Sequence, residues 1–595
     1  MSDREATPAA PLRAVAEELQ RAGVREVVIC PGSRSTPLAL ALRVAPGLRS
    51  WVHLDERAAG FFALGAARAS RRPVAILVTS GTAAAELLPA VVEAAGARVP
   101  LVILTADRPP ELRDRGAAQT IDQERLYGRF ARWYAELPVP AADARTVAHI
   151  RGLVGRAVAT ATSAPAGPVH LDAPFREPLV PVGPLTVAVD AGETGHTRAI
   201  VGARTLADVD LDGLARELAA VPRGVIICGP LDVEGFAPAI GELGAATGYP
   251  ILADVLANVR SGDHDRDAVV EHADAILRSA TFVSAHQPDL MVRFGGTPVS
   301  RAVLEWIAAS GARQVVVDDG GWTDPTGTPV TFVQAEPRTL ARSLAHRRLE
   351  VGGPPVEPAW LAAWRDAGRR AGIALRDWLA ALDEPFEGTV AASLGAALGS
   401  LPTGTIHVAG NSKPVRDLDA FLEAGPAVVR CLGNRGAAGI DGVVSTALGA
   451  AAVSDAPVVA IVGDLSFIHD LNALVAARRL GLSATIVLVD NDGGGIFSQL
   501  PQALLERPEA GLPEHFEELF GTPHGLDLGP VVLALGARHR VVAPAEVGPA
   551  VAATAGRPGV EVIVVRTERA RDAELHRQAL AAVVRSLDVA AEGQA

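Results

Sequence analysis

In the run Val458-Val459-Ala460-Ile461-Val462-Gly463-Asp464-Leu465-Ser466-Phe467, five apolar residues lead straight to an acidic side chain. A continuous apolar run of this length, rich in β-branched residues, suits a strand covered on both faces, as in parallel sheets. A second such run, Thr485 to Val489, leads to Asn491 and then to Gly493, Gly494 and Gly495. Asp464 and Asn491 stand 27 positions apart (491 − 464 = 27), enough for one helix between two parallel strands. Ligands of open α/β sheets sit at the carboxyl ends of strands. An aspartate, an asparagine and bare glycine backbone there offer hard oxygens for Mg²⁺ and room for a diphosphate. Either side chain alone would pass for a strand-end cap. The pair at this spacing favours a metal held by Asp464, Asn491 and the Gly493 carbonyl.

Working outward, the two ends of the chain read as copies of one plan. Near the start come a strand at Glu26 to Cys30, the turn Pro31-Gly32-Ser33-Arg34, a helix at Ala58 to Ala69, a strand at Val74 to Val78 and the turn Ser80-Gly81-Thr82. The second half answers with a strand at Thr405 to Ala409, the turn Gly410-Asn411-Ser412, a helix at Val443 to Ala452 and the run quoted above. Leu101 to Thr105, ending in Asp107, matches Thr485 to Val489, ending in Asn491. The offsets are 410 − 32 = 378, 463 − 81 = 382 and 491 − 107 = 384. Such alternation of β-branched runs with Ala/Leu helices predicts doubly wound parallel sheets. A third α/β unit lies between them, with strands near Gly224 to Ile227, Leu290 to Phe294 and Gln314 to Val317. Segments rich in proline and glycine, Pro174 to Pro184 and Gly352 to Pro358, mark the joints. The expected units are therefore 1–185, 186–355 and 356–595. Facing strand ends in sibling units would grip a cofactor at both ends, and a closed pairing is most simply made by two chains. A homodimer, or a dimer of dimers, is the expectation.

At 595 residues the chain exceeds one hydrophobic core. Its net charge of −13 argues against nucleic acid as a partner, because phosphate neutralisation needs a basic face. Small anions need only local arginines, and five stand at predicted strand ends or loops: Arg34, Arg108, Arg301, Arg416 and Arg435. Together they suggest substrates with several carboxylates. Cys30, Cys228 and Cys431 lack metal-binding spacing, and the beginning of the chain shows no basic-then-apolar leader. No apolar stretch approaches the ~18 residues of a membrane span. A reduced, cytoplasmic setting without a membrane span is expected.

The Gly463-Asp464…Asn491 constellation resembles the metal–diphosphate motif of thiamine-diphosphate enzymes, with Leu465 in place of its usual second glycine. Pro31 to Pro37, His53-Leu54-Asp55-Glu56-Arg57, Thr79 to Thr82 and Thr105 to Pro110 resemble one family of such enzymes. So do Gly410-Asn411-Ser412, Arg416-Asp417, Asn434-Arg435-Gly436, Gly439 to Gly442 and Gly463 to Asp470. That family comprises the 2-succinyl-5-enolpyruvyl-6-hydroxy-3-cyclohexene-1-carboxylate synthases of menaquinone biosynthesis (MenD), and Gly-Asp-Leu-Ser-Phe is its own variant of the motif.

The resemblance implies thiamine diphosphate with Mg²⁺ (or Mn²⁺) as cofactors and 2-oxoglutarate and isochorismate as substrates. The implied reaction is decarboxylation, then conjugate addition of a succinyl carbanion equivalent. Glu56 would hydrogen-bond the aminopyrimidine ring and share its proton. Asp464, Leu465, Ser466, Asn491, Gly493 and Gly494 would hold the diphosphate and metal, and Ile440, Ile496 and Phe497 would form an apolar wall. Ser33, Arg34, Arg108, Gln119, Arg301, Ser412, Arg416 and Arg435 would contact substrate, with Arg301 where some relatives are expected to have lysine. A thiamine-dependent carboligase acting on pyruvate, of the acetolactate-synthase kind, is the nearest alternative. A dinucleotide-binding protein is a more distant one, since no strand leads into Gly-x-Gly-x-x-Gly.

Overall fold

A computed structural model describes residues 7–185, 196–352, 358–506 and 514–592. Its strands form three six-stranded sheets, each made of parallel pairs. The first holds β1 (Glu26–Ile29), β2 (Arg49–Val52), β3 (Val74–Val78), β4 (Leu101–Asp107), β5 (Tyr134–Glu136) and β6 (Val169–Pro174). The second holds β7 (Gly224–Cys228), β8 (Ile251–Ala253), β9 (Val269–Val270), β10 (Leu290–Phe294), β11 (Arg313–Val317) and β12 (Val330–Val333). The third holds β13 (Ile406–Ala409), β14 (Arg430–Gly433), β15 (Val458–Gly463), β16 (Ala484–Asp490), β17 (Arg538–Val541) and β18 (Val560–Arg566).

Strand order makes the kinship of the outer sheets explicit. The first runs β2-β1-β3-β4-β6-β5 and the third β14-β13-β15-β16-β18-β17, the same order within each set of six. The middle sheet runs β12-β11-β10-β7-β8-β9, the order of dinucleotide-binding folds read from its other edge. Of the expected joints, Pro174 to Pro184 lies within the described residues, whereas 353–357 of Gly352 to Pro358 lie outside them, as do 186–195. Among the described residues no helix is long and apolar enough to cross a membrane. All three cysteines are buried and free.

Register then places the site. In the β15–β16 pair Gly463 lies opposite Val489, which carries Asp464 alongside Asp490 and Asn491. In β3–β4 the partners are Val78 and Thr105, which brings Ser80 alongside Asp107. The strand starts differ by 458 − 74 = 384. The expected match of Gly81 with Gly463 therefore shifts by two residues. Ser80 is the counterpart of Asp464 (464 − 80 = 384), as Asp107 is of Asn491.

The outer units share one core. Phe62, Val78 and Ile103 pack in a single buried cluster with Val444, Leu448, Ala460 and Ile486. At its centre the helices Glu56–Ser70 and Val443–Val453 cross at backbone contact. A Cβ on Gly65 would collide with the Thr446 carbonyl oxygen, and one on Gly449 with the Phe62 carbonyl oxygen. The contact is reciprocal, because 449 − 65 and 446 − 62 both equal 384. Sibling helices thus meet about a local two-fold, each with its small residue under the other's backbone. A second cluster joins the middle unit to the third, from Val225 and Trp306 through Trp364 to Phe386 and Ile563.

Overpacking a close-packed crossing costs typically 1–3 kcal/mol. Gly449→Val is expected to destabilise the protein by about 3 kcal/mol, read from its urea midpoint. An unchanged midpoint would show that the crossing carries no such constraint.

Candidate active site

Asp464 opens the helix Asp464–His469 directly after β15, and Asn491 follows β16. Both side chains are buried. The Asp464 carboxylate accepts three backbone N–H groups: Leu465 at 2.6 Å on Oδ1, and Asn491 at 3.0 Å and Gly493 at 2.9 Å on Oδ2. Burial raises its pKa; those backbone bonds pull the other way, Asp490 adds to the rise and His524 opposes it. Gly493 has φ +135°, and a Cβ there would strike the Gly521 carbonyl oxygen, so only glycine fits under this roof. Gly494 N–H donates to that same oxygen at 2.7 Å.

Two further donors stand close by. His524 Nε2 lies 3.4 Å from Asp464 Oδ2 and 3.6 Å from Asp490 Oδ1. These three residues each offer a ligand atom within 4.8 Å of the others. Sequence patterns do not single out His524, 33 residues past Asn491, nor Glu387, whose carboxylate accepts the Asn491 amide at 2.8 Å. Burial, above all, pushes the Glu387 pKa up to about 8. A glutamate opening the helix Glu387–Leu398, whose residues are otherwise small or apolar, was its only sequence signal.

The arginines form two pairs. In the first unit Arg34 is buried and donates to the Phe175 carbonyl at 2.9 Å. Arg108 donates to Ser80 Oγ, and Gln119 Nε2 to the Ser80 carbonyl at 3.1 Å. Ser33 is exposed in the turn before Arg34. Burial, then the nearby Arg34 charge, lowers the Arg108 pKa. In the third unit Arg435 donates to Asn411 Oδ1 at 3.0 Å, and Arg416 to the carbonyl of Ser412, which has φ +69°. Burial followed by repulsion from Arg435 lowers the Arg416 pKa. Among the described residues no ion pair neutralises Arg108, Arg416 or Arg435.

Arg301 stands apart: its side chain is 70 % exposed and its Nε lies 2.6 Å from Glu305 on its own helix.

The turn between Arg435 and Ile440 is pinned from the first unit. Glu93, on the helix Leu88–Ala97, accepts the N–H groups of Gly436 and Ala437 at 2.7 Å each and of Ala438 at 3.3 Å. Ser466 Oγ donates to the Ile440 carbonyl. Ile440, Leu465, Ile496 and Phe497 are half-buried, as an apolar wall beside a ligand would be.

Glu56 begins its helix after β2, half-buried, with burial the main cause of a raised pKa. Its neighbours fix its place: Asp55 accepts from Asn472 Nδ2 at 2.7 Å, and Arg57 donates to the His469 carbonyl at 2.5 Å. Within one chain, therefore, Glu56 lies against the far end of Asp464–His469. Five residues of helix, about 7.5 Å of rise, separate that end from Asp464.

The chain matches three family descriptions. They are "Thiamine pyrophosphate enzyme, N-terminal TPP binding domain" over residues 12–126, "Middle domain of thiamine pyrophosphate" over 217–356 and "Thiamine pyrophosphate enzyme, C-terminal TPP binding domain" over 428–565. Fold and site thus define a thiamine-diphosphate-dependent enzyme. The 2-succinyl-5-enolpyruvyl-6-hydroxy-3-cyclohexene-1-carboxylate synthase of Geobacillus kaustophilus is 48 % identical to it over 574 residues, 95 % of this chain and 96 % of that protein. Those of Chloroflexus aurantiacus and Halobacterium salinarum are 46 % and 43 % identical, over 95 % and 97 % of this chain and 94 % and 98 % of theirs. The chain belongs to the 2-succinyl-5-enolpyruvyl-6-hydroxy-3-cyclohexene-1-carboxylate synthase family.

The residues present fit a divalent cation. Asn491 Oδ1 is buried without a hydrogen-bond partner, while the amide's other end is engaged. A buried carbonyl oxygen left bare is costly unless a ligand takes it. Asp464 Oδ1, with one N–H bond, keeps a lone pair for the same ion. Asp464→Ala is expected to weaken Mg²⁺-dependent binding of thiamine diphosphate by about 100-fold or more in calorimetric titrations. Unchanged affinity and metal dependence would remove Asp464 from the site.

Proposed function

We propose that this chain is a 2-succinyl-5-enolpyruvyl-6-hydroxy-3-cyclohexene-1-carboxylate synthase of menaquinone biosynthesis. It decarboxylates 2-oxoglutarate and joins the remaining four-carbon unit to isochorismate by conjugate addition. The observation that carries this reading is the two arginine clusters at strand ends, in a chain of this family: Arg108, Arg416 and Arg435 have no ion-pair partner among the described residues, while Arg34 lies 3.5 Å from Glu177. The two substrates bring four carboxylates between them, one of which leaves as CO₂. Each carboxylate met by a guanidinium gains a charge-assisted hydrogen bond of about 1.5–3 kcal/mol. Pyruvate, with one carboxylate, would leave most of that charge unanswered.

Thiamine diphosphate, when bound, supplies the nucleophilic carbon and the electron sink. The chain's own residues bind, orient and move a proton. Asp464, Asn491 and the Gly493 carbonyl would hold Mg²⁺, or Mn²⁺ in its place, and Leu465, Ser466 and Gly494 would bind the diphosphate. Ile440, Ile496 and Phe497 keep the reacting carbon away from water. Glu56, whose carboxyl pKa is raised chiefly by burial, would hydrogen-bond the aminopyrimidine ring and hold the proton exchanged there. Ser33, Arg34, Arg108 and Gln119 orient one carboxylate-bearing part of the substrates, and Ser412, Arg416 and Arg435 another. Arg301, exposed on the middle unit, joins them as a substrate contact from a separate surface.

Glu56 would serve a second chain's metal loop, because in its own chain the flanking Asp55 and Arg57 bind Asn472 and His469, at the far end of Asp464–His469. A homodimer, alone or paired into a tetramer, follows, and Leu54 beside it is 60 % exposed, as an interface residue would be in the free chain. Units 1–185, 186–355 and 356–595 then divide the work as pyrimidine-side, middle and diphosphate-side parts. The enzyme works in the cytoplasm.

Purified protein with thiamine diphosphate, Mg²⁺, 2-oxoglutarate and isochorismate should release CO₂ and form the named product, identified by mass. Consumption of pyruvate in preference to 2-oxoglutarate would overturn the assignment. Glu56→Gln should lower turnover by at least about 100-fold while cofactor affinity stays within about 3-fold. Near-normal turnover would exclude Glu56 as the activating acid.

A further inference from the structure

An amide that binds a cation must present its oxygen, yet its two ends are nearly alike in shape. At Asn491 the choice is made from outside the metal loop. Asn491 Nδ2 donates to Glu387 Oε1 at 2.8 Å, which turns Oδ1 to the side where it has no partner. Glu387 is itself fixed. Its Oε1 also accepts from Thr567 Oγ1 at 3.0 Å, and its backbone N–H donates to Asp572 Oδ1 at 2.9 Å. Its Oε2 lies 3.5 Å from Lys413 Nζ, which stands 2.7 Å from Asp572 Oδ2 and 3.5 Å from Asp417 Oδ2. Asp417 Oδ1 in turn lies 3.3 Å from His576 Nε2. Glu387, Lys413, Asp417 and Asp572 are all buried.

We propose that Glu387 is a positioning residue that locks the Asn491 amide with its oxygen toward the cation, anchored by the buried Lys413–Asp572–Asp417 cluster. The inference rests on the reading of Asn491 as a metal ligand. It also ties that ligand to the helix Lys413–Phe421, whose Arg416 is a proposed substrate contact. A buried lysine with three carboxylates is an expensive arrangement for packing alone. As an orienting frame it has a use, since partners behind a metal ligand typically contribute 10–100-fold to metal affinity.

The test is calorimetric titration of Mg²⁺ into the full-length protein with saturating thiamine diphosphate, a readout independent of turnover. Glu387→Met removes the acceptor and leaves Lys413 with Asp572 and Asp417. Mg²⁺ affinity should fall about 10–100-fold, whereas Glu387→Gln, which keeps an acceptor, should stay within about 3-fold. Adding Asn491→Asp to Glu387→Met should bring affinity back to within about 3-fold of the parent, because a carboxylate has no wrong end to present. If Glu387→Met does not fold, Glu387→Leu, which also removes the acceptor and leaves Lys413 its contacts with Asp572 and Asp417, takes its place in both measurements. Unchanged affinity on losing Glu387, or a loss that Asn491→Asp does not recover, would overturn the positioning role. Asn491→Ala separates the two readings. If it leaves Mg²⁺ affinity unchanged, the metal assignment falls and this inference with it. If it weakens binding while Glu387→Met does not, only the role of Glu387 is lost.

Discussion

Everything in this molecule is referred to one helix crossing, where Gly65 and Gly449 let two backbones touch. A side chain at either position would push the first and third sheets apart, and their shared core would open between Phe62 and Leu448. Because the contact is reciprocal, it fixes translation and rotation together. The pinning of the Arg435–Ile440 turn by Glu93 depends on it directly, since that hydrogen bond runs from one unit to the other. So does the position of Glu56, which heads one of the two crossing helices.

The sibling units use equivalent strand ends for opposite charge. After β15 stands Asp464, with Asn491 across the register, and the resulting oxygens suit a cation. After β3 stands Ser80, whose hydroxyl and carbonyl engage Arg108 and Gln119, and the result suits an anion. At these equivalent ends the acid changes place, Asp464 and Asn491 in one unit answering to Ser80 and Asp107 in the other; Asp107 is taken up by Arg113 at 2.7 Å, and Arg108 on Ser80 supplies the positive charge an anion needs. A duplicated fold thus offers, at equivalent strand ends, oxygens that suit a cation and donors that suit an anion without new architecture.

Much of this was legible before any coordinates. Strands β3, β4, β7, β15 and β16 are built on continuous apolar runs, and β10 on one broken only by Arg293, because helices cover both faces, and such runs declare themselves. β5 has two half-buried residues and the exposed Glu136, and β17 reads Arg-His-Arg-Val with both ends exposed, so neither carries a burial signal. At the site, Asp464, Asn491 and Gly493 could be read because one short crossover fixes their spacing. Glu387 could not, being 104 residues from Asn491 and joined to it only by the packing of two helices against the sheet. The reciprocal glycines were equally silent: a glycine in an alanine-rich helix says nothing of whose backbone it will meet. Arg301 was grouped with the other arginines from a loop-like context, and one chain places it on the surface beside Glu305.

The crowding of Arg416 against Arg435 has a consequence for how ligand reaches the site. The chain as a whole carries a net charge of −13, so its outer field turns dicarboxylates away. Salt that screens this long-range repulsion should hasten encounter, yet it should loosen the final grip on the guanidinium groups. Arrival and retention of an anion at these guanidinium groups therefore respond to ionic strength in opposite senses.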